Sequence, residues 1–399
     1  MPCYGITLAI ALFLILGVFQ LQCRQRLRVY SKYSDIAKLL NPPHSSIPIL
    51  LSARAQPNER LARIFGLGNS FVSAEPRVHK QFIARAKELL RDHTRRFAAF
   101  PDSAQRTVAG VASNLILSSS SPHPRQNVIP FATFVQVVTM RLVVCSFLGG
   151  DIPEDTDEDV IFVVRAINEL WASSKKRPIH TQVQVEVLER LNGHLLQWLP
   201  TYERPLDFVI PSYETMWRLV AVTVARAGHD RGARATFSAY LDSPNECQYK
   251  YFHNGGPSVE SFLCEVLRLH PPSRRLARAT PPHFPDFPTW GTTSAGDEVA
   301  DLEALHRDTH IWGQQGHIFD PMRFHPTRLS HEQHLAFIPF GYGPLRCIAF
   351  KEAPRFAAIV AASKLRVVDE PWARYRLVCG ETLGRRDGWD GWSIEAGDD

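Results

Sequence analysis

The sequence predicts a mainly α-helical protein with a small β region. In the first two thirds of the chain, apolar residues recur at helical spacing in several long stretches, for example over residues 78–90. From Pro271 onward the texture changes to proline, threonine and aromatic residues, which suit short strands and irregular connections. The predicted fold class is therefore α+β with helix dominant.

Composition excludes several classes of protein. With 399 residues, 45% of them hydrophobic and 21% charged, the chain is globular rather than disordered or fibrous. The net charge of +5 is small and the basic residues are scattered, so nucleic acid is not an expected partner. The 7 cysteines include no CxxC pair, which argues against a disulfide framework or a zinc ribbon and favours a reducing compartment.

The amino terminus carries the apolar run "GITLAIALFLILGVFQL", followed directly by "CRQRLRVYSKY". Basic residues follow the run instead of preceding it, so a membrane anchor is favoured over a cleaved signal peptide. We predict a transmembrane signal anchor at 1–23, a basic and proline-containing linker at 24–48, and one domain at 49–399. Because basic residues tend to stay cytoplasmic, this domain is expected to face the cytosol.

Five stretches of the predicted domain have helical periodicity, and one segment between them has loop composition. No repeat at solenoid periods occurs. The predicted helices contain "EPRVHKQFIARAKELLRDHTRRF", "FATFVQVVTMRLVVCSFLG", "DVIFVVRAINELWASS", "TQVQVEVLERLNGHLLQWL" and "YETMWRLVAVTVARA", and the predicted loop is "LSSSSPHPRQ".

Two short motifs each contain an arginine that could bind a carboxylate or backbone carbonyls. In "SVESFLCEVLRLHPP", Glu265 and Arg268 are three residues apart and are neighbours on a helix; alone, such a pair is most often a solvated ion pair. In "IFDPMRFHP", Arg323 stands among aromatics and prolines, and its planar fork of donors suits a bridge between a carboxylate and backbone carbonyls.

A third motif, "FIPFGYGPLRCIAF", ends a glycine-bearing loop in Cys347. A thiolate is the metal-binding form of cysteine, and backbone N–H groups stabilise it. Gly341 and Gly343 allow the loop to close tightly, and the apolar run that follows predicts a helix starting at the cysteine. The alternative is a buried structural cysteine.

The order of these patterns, ExxR, then FxPxRF, then a glycine loop ending in cysteine, resembles the cytochrome P-450 family of haem-thiolate monooxygenases. The resemblance is strongest over residues 213–356, and it implies the cytochrome P-450 fold with haem b as cofactor. By the pattern FxxGxxxCx(G/A), Phe340, Gly343 and Ala349 match family positions, and Cys347 would be the axial ligand of the iron. The usual basic residue two before the cysteine is replaced by Leu345, while Arg346 lies beside the ligand.

The resemblance also implies roles for residues outside the cysteine loop. Glu265, Arg268 and Arg323 would form a structural cluster that holds the loop against the helices, and Arg278 would reach a haem propionate. Glu214 and Thr215, in "PSYET", would form the acid–alcohol pair that delivers protons during oxygen activation. This segment departs from the family's (A/G)Gx(D/E)T pattern, because proline and serine replace the small residues.

One helix matches a family element only loosely. His79, Lys80 and Arg85 lie where the family has a WxxxR element, but the tryptophan is absent, and the resemblance assigns them no role.

The expected function is insertion of one atom of O2 into an apolar organic substrate at the endoplasmic reticulum membrane, with a role in secondary metabolism. Electrons would come from NADPH through a separate flavoprotein reductase, because the sequence contains no Rossmann fingerprint. The chain is shorter than an anchored family member, with the shortfall before Glu265. A non-catalytic haem-binding protein and a haem-thiolate dehydratase or isomerase are therefore kept as alternatives.

Overall fold

The computed structural model describes residues 27–118, 128–175, 182–252, 255–279, 297–369 and 375–396. Helices provide most of the ordered chain, as the periodicity predicts. In chain order they are α1 Tyr33–Leu40, α2 Ile47–Phe65, α3 Pro76–Arg96, α4 Phe100–Ser118, α5 Phe131–Leu142, α6 Asp157–Ser173, α7 Gln182–Trp198, α8 Leu206–Ala227, α9 Arg231–Asp242, α10 Glu246–Lys250, α11 Val259–Leu269, α12 Leu302–Leu305, α13 Thr309–Trp312, α14 His331–Ala336 and α15 Glu352–Asp369.

Two small sheets complete the described fold. The first has the order β1-β4-β3, with β1 (Arg28–Tyr30) parallel and β3 (Arg275–Ala279) antiparallel to β4 (Asp297–Asp301). The second has the order β2-β6-β5 and is antiparallel throughout. Its strands are β2 (Val128–Pro130), β5 (Tyr375–Val378) and β6 (Ser393–Ala396). Part of the β structure thus lies after Pro271, as the change of composition predicts.

The main hydrophobic core lies where α8 and α15 pack against each other and against α4, α5 and α9. A smaller cluster joins the first sheet to the cysteine loop and includes Ile36, Leu40, Trp312 and Ile338. Burial of such apolar side chains contributes about 1.5–3 kcal/mol each. The position of the cysteine loop is therefore fixed by packing on both sides.

The segment 24–48, predicted as a linker, is folded where the structure describes it. It contains β1 and α1, and the buried side chains of α1 belong to the smaller core cluster. The periodic apolar residues of "YSDIAKLL" pack against the rest of that cluster, so the folded domain begins before residue 49. The predicted anchor at 1–23 lies outside the described residues. No helix among the described ranges combines the length and apolar character needed to cross a bilayer.

Helix α8 contains a proline without being interrupted. Pro211 has no N–H, so the carbonyl of Asp207 loses its usual partner one turn earlier. The side-chain amide of Asn69 bonds this carbonyl at 2.8 Å, and the N–H of Gly68 bonds the Asp207 carboxylate at 2.8 Å. The loop between α2 and α3 is therefore attached to the helix at the place where the proline frees an acceptor.

Candidate active site

Cys347 lies at the end of a tightly turned loop. The loop closes through the N–H of Cys347, which bonds the carbonyl of Phe340 at 2.9 Å. Gly341 and Gly343 have φ angles of +79° and +73°, in the left-handed region that favours glycine. A Cβ at Gly343 would also lie only 2.7 Å from the Cβ of Asn41, at the end of α1. Both glycines are thus required by conformation, and the second one also by contact.

The thiol of Cys347 combines solvent access with close protein surroundings. Its side chain is exposed. Burial nevertheless raises the pKa of the Cys347 thiol, while a backbone hydrogen bond from Ala349 and the charge of Arg346 oppose that rise. The sulfur is therefore close to protein on one side and open to solvent on the other.

The helix that follows the cysteine begins later than the sequence predicts. α15 starts at Glu352, five residues after Cys347, and residues 348–351 form a turn. Pro354 explains the difference, because it cannot donate the hydrogen bond that an earlier helix would need at the carbonyl of Phe350. Since the effect of the helix dipole fades within one turn, Cys347 depends more on local backbone groups than on the dipole.

Glu265 and Arg268 form a fully buried ion pair on α11. Nε of Arg268 donates to Oε2 of Glu265 and Nη2 donates to Oε1, both at 2.7 Å, and both side chains are 0% exposed. The remaining donors of Arg268 bond the carbonyls of His306 and Gly316 at 2.6 Å each. The carboxylate also accepts the N–H of Asp320 at 2.9 Å. Every charged atom of the pair thus has a partner, which a buried pair needs in order to be tolerated.

Arg323 joins the same cluster from the meandering segment before the cysteine loop. Its guanidinium bonds the carbonyls of Trp312 and Gln315 at 3.0 and 3.1 Å, and its Nε lies 3.7 Å from Oε1 of Glu265. The structure therefore brings together the three residues of the predicted cluster.

Arg278 lies on β3, beside the cysteine loop. Leu276 is two residues earlier on the same face of the strand, and its Cδ1 would lie 3.7 Å from a Cβ placed at Gly341. Arg278 is 7% exposed, and among the described residues its Nη1 bonds the carbonyl of Ala277 while its Nε has no partner. Burial lowers the pKa of this guanidinium to about 10. It is a buried cation without a carboxylate among the described residues.

A second buried arginine, Arg54, lies next to the first and was missed by sequence reasoning. Helix α2 packs along β3, and burial together with the charge of Arg278 lowers the pKa of Arg54 to about 10. Its Nη2 bonds the carbonyl and hydroxyl of Ser70 at 2.5 and 2.6 Å, and its Nε has no partner in the part of the chain that the structure describes. The same hydroxyl lies 2.6 Å from Nδ1 of His79. An arginine without a nearby charged residue in the sequence has no distinctive pattern, so only the fold identifies this residue.

The two other basic residues noted on α3 do not join this group through the contacts described. Arg85 bonds Glu88 at 2.7 Å and lies near the hydroxyl of Tyr202, while Lys80 is exposed. Arg346 is exposed, with its guanidinium carbon 3.8 Å from the ring centroid of Phe350. Of the residues considered from that helix, only His79 lies against the buried arginines.

Glu214 and Thr215 are adjacent on α8 but have different surroundings. Glu214 is 2% exposed and forms a two-pronged ion pair with Arg386, in which Nη1 lies 2.9 Å from Oε1 and Nη2 contacts Oε2. Nη2 of Arg218 is 3.7 Å from the same carboxylate. Thr215 is half-buried. The acid of the predicted pair is thus held by two arginines.

Comparison with known proteins supports the resemblance found in the sequence. The cytochrome P450 family model matches residues 257–348, which contain the cluster on α11 and the cysteine loop. Benzoate 4-monooxygenase bphA of Aspergillus niger is 29% identical over 116 residues, which are 28% of this chain and 22% of that protein. Cytochrome P450 4F8 of Homo sapiens is 32% identical over 110 residues, 27% of this chain and 21% of that protein. Over these residues the chain is similar to the cytochrome P450 family.

The fold agrees over a longer range than the sequence matches. The heme domain of a cytochrome P450DA mutant superposes with a TM-score of 0.60 at 16% identity, covering 93% of this chain and 84% of that one. This similarity confirms the mainly helical cytochrome P450 fold with small sheets. The sequence matches to the curated relatives span only about a fifth of their length.

The residues around Cys347 fit a haem. A haem carries two propionate carboxylates, and Arg54 and Arg278 are two adjacent buried cations with unpaired Nε atoms. The iron needs one protein ligand on the side of the cysteine loop, and Cys347 offers a single exposed sulfur. Within the described ranges, no three His, Cys, Asp or Glu side chains gather as a metal site of another kind.

Proposed function

We propose that this protein is a haem-thiolate monooxygenase that inserts one atom of O2 into an apolar organic substrate. The observation that carries the proposal is the pairing of an exposed cysteine on a glycine-turned loop with two buried, unpaired arginines beside that loop. Cys347 would bind the iron, while Arg278 and Arg54 would hold the propionates.

The protein groups around Cys347 would set the electronic character of the site. The N–H of Ala349 and the charge of Arg346 favour the thiolate. The haem, when bound, supplies the redox chemistry of O2, and thiolate ligation favours O–O cleavage. The Glu265–Arg268–Arg323 cluster would keep the loop in place without touching the reacting atoms.

Proton delivery is proposed for Glu214 and Thr215. The Glu214 carboxyl group would supply a proton, and the hydroxyl of Thr215 would hold it and pass it on. Since that carboxylate is bound to Arg386 in the structure, proton transfer through Glu214 requires this ion pair to open.

The proposed setting is the endoplasmic reticulum membrane, with residues 1–23 as a single-pass anchor and the domain in the cytosol. Electrons would come from NADPH through a flavoprotein reductase, and the net charge of +5 suits an acidic docking partner. A role in secondary metabolism is part of the same proposal.

The first experiment is the carbon monoxide difference spectrum of the reduced, haem-loaded protein. We expect a strongly red-shifted Soret band that is lost in Cys347→Ala and retained in Cys247→Ala, a control at another exposed cysteine. A folded protein that gives the same spectrum in both variants would refute thiolate ligation by Cys347.

The binding of Glu214 by Arg386 and Arg218 favours a second candidate function, a haem-thiolate dehydratase or isomerase that needs no external electrons. The Glu214 carboxylate is engaged by Arg386 and Arg218 and does not face Thr215 freely. Turnover that depends on a reductase and NADPH supports the monooxygenase, whereas turnover in their absence supports the second candidate.

A further inference from the structure

A group of cations surrounds Trp171, near the end of α6. The guanidinium carbon of Arg386 lies 4.6 Å from the centroid of the indole, and that of Arg60, from α2, lies 5.3 Å from it. Lys175 follows two residues after α6 ends. Lys175 directly follows Ser174, whose hydroxyl accepts a hydrogen bond from Nη1 of Arg60. Burial lowers the pKa of Lys175, and the charges of Arg60, Arg386 and Arg274 lower it further.

Carboxylates compensate only part of this positive charge. Glu214 pairs with Arg386, and Glu303 pairs with Arg274. Asp387 is the acidic group that acts on Lys175, and it is exposed. Neither Arg60 nor Lys175 forms an ion pair within the described ranges, so these two cations, Arg60 beside the indole of Trp171 and Lys175 close to Trp171 in the chain, lack a dedicated carboxylate.

Arg60 is positioned rather than freely solvated. Its Nη1 bonds the hydroxyl of Ser174 at 2.5 Å, and Ser174 is itself 3% exposed and donates to the carbonyl of Trp171 at 2.7 Å. The side chain of Arg60 is half-buried, and burial lowers its pKa. A guanidinium held in this way keeps further N–H donors in a fixed plane, which suits two-point binding of a carboxylate.

The cationic group adjoins the proposed site of chemistry. Arg386 binds Glu214, the residue next to Thr215 on α8. Arg218, one turn further along the same helix, bonds the carbonyl of Pro272, and the chain continues from there into β3, which carries Arg278. A ligand bound at Trp171 would therefore lie beside the helix that is proposed to deliver protons.

We propose that Arg60 and Lys175 bind the carboxylate of an organic acid whose apolar or aromatic body packs on Trp171, and that such an acid is the substrate class of this enzyme. Only the assignment of the substrate class rests on the proposed monooxygenase function; the binding of the acid does not. Trp171 and the neighbouring Phe65, 6.2 Å away between ring centroids, supply apolar surface next to the cations, so the site is expected to favour acids with a hydrophobic body over small inorganic anions.

The test is calorimetric titration of the haem-loaded protein with three acids, benzoate, 3-phenylpropanoate and decanoate, and with their neutral amides. We expect at least one acid to bind about tenfold or more tightly than its amide, since hydrogen bonds to charged groups favour the ion. Arg60→Gln is expected to remove this preference, Lys175→Gln to reduce it, and added salt to weaken it. Arg63→Gln, an exposed arginine on the same helix, is the matched control and should leave it unchanged.

Equal affinity for acids and amides, or no binding by any of the three acids, would overturn the proposal. A preference that survives in Arg60→Gln and Lys175→Gln alike would also overturn it. Failure here is distinguishable from failure of the proposed function, because the carbon monoxide spectrum reports thiolate ligation without any substrate. If haem does not load, the same titrations of the folded protein still report the anion site.

Discussion

His306 accepts the backbone N–H of Ile338 through its Nε2 at 3.2 Å. The carbonyl of the same residue accepts Nη1 of Arg268 at 2.6 Å, so one buried histidine connects the ion pair on α11 to the start of the cysteine loop. Nε2 accepts only when the ring is neutral, and burial with the charge of Arg268 lowers the pKa of His306 to about 3. The connection therefore depends on an uncharged imidazole.

Replacement of His306 by Gln is expected to change the pH dependence of stability. The unfolded chain binds this proton near pH 6.5 and the folded protein only near pH 3, so stability is lost as pH falls between these values. In that window the free energy of unfolding of the wild type should fall by about 1.4 kcal/mol for each unit decrease in pH because of this histidine, and the variant should not show this fall. Urea unfolding at several pH values measures it, with His229→Gln at an exposed position as control. Identical slopes for wild type and H306Q would contradict the neutral, buried histidine.

Substitution Glu265→Gln is expected to destabilise the fold by about 3–5 kcal/mol, because it leaves Arg268 buried with an incomplete partner. Chemical denaturation provides the measurement. The control is Glu246→Gln, since Glu246 pairs with Lys250 and Arg355 at the surface and its loss should have no measurable effect. A comparable loss in both variants would mean that the buried pair has no special role.

Substitution Gly343→Ala is expected to distort the cysteine loop. The residue has φ +73°, which costs a side chain about 1–3 kcal/mol, and its Cβ would contact Asn41 at 2.7 Å. Thermal unfolding should show a lower midpoint. Gly110→Ala, in α4 with no atom within 4 Å of the new Cβ, should instead stabilise by about 0.4–1 kcal/mol. An unchanged midpoint in G343A would show that the loop tolerates a shift.

Lys364 is a buried amine whose replacement by Met should stabilise the protein. It is 0% exposed on α15, its Nζ has no hydrogen-bond partner, and it lies 4.1 Å from the ring centroid of Phe134. Burial holds the pKa of Lys364 well below its usual value, so the wild type gains stability as pH rises toward the unfolded value. At pH 7 Lys364→Met is expected to add about 1–3 kcal/mol. The exposed Lys87→Met is the control, and a destabilised K364M would contradict the expectation.

The ion pair between Glu214 and Arg386 is expected to show strong coupling in a double-mutant cycle. Arg386→Gln alone leaves a carboxylate that is 2% exposed without its main partner, and Glu214→Gln alone leaves the guanidinium, so each should cost about 3–5 kcal/mol. The double variant should cost clearly less than both together. Additive losses would mean that the two side chains do not interact in solution.

Local sequence patterns were sufficient for the helical character and for the late strands. The spacing of Glu265 and Arg268 makes them neighbours on a helix, but their burial in one cluster with Arg323 was implied only by the resemblance to the cytochrome P-450 family. The start of α15 could not be placed as well, because the apolar run suggested a helix from Cys347 while Pro354 delays it. The linker at 24–48 was also misjudged, since its packing partners lie far away in the chain.

By itself, the sequence determined the mainly helical fold class and the resemblance to the cytochrome P450 family that names Cys347 as the candidate ligand, because these depend on short-range periodicity and on ordered motifs. Only the tertiary structure decided that Arg54 lies beside Arg278 and that Arg386 binds Glu214. These contacts join residues more than 150 positions apart, and neither side carries a local pattern that selects its partner. Their proximity follows from how α2, β3, α8 and the carboxyl-terminal segment pack, and packing is a property of the whole folded chain.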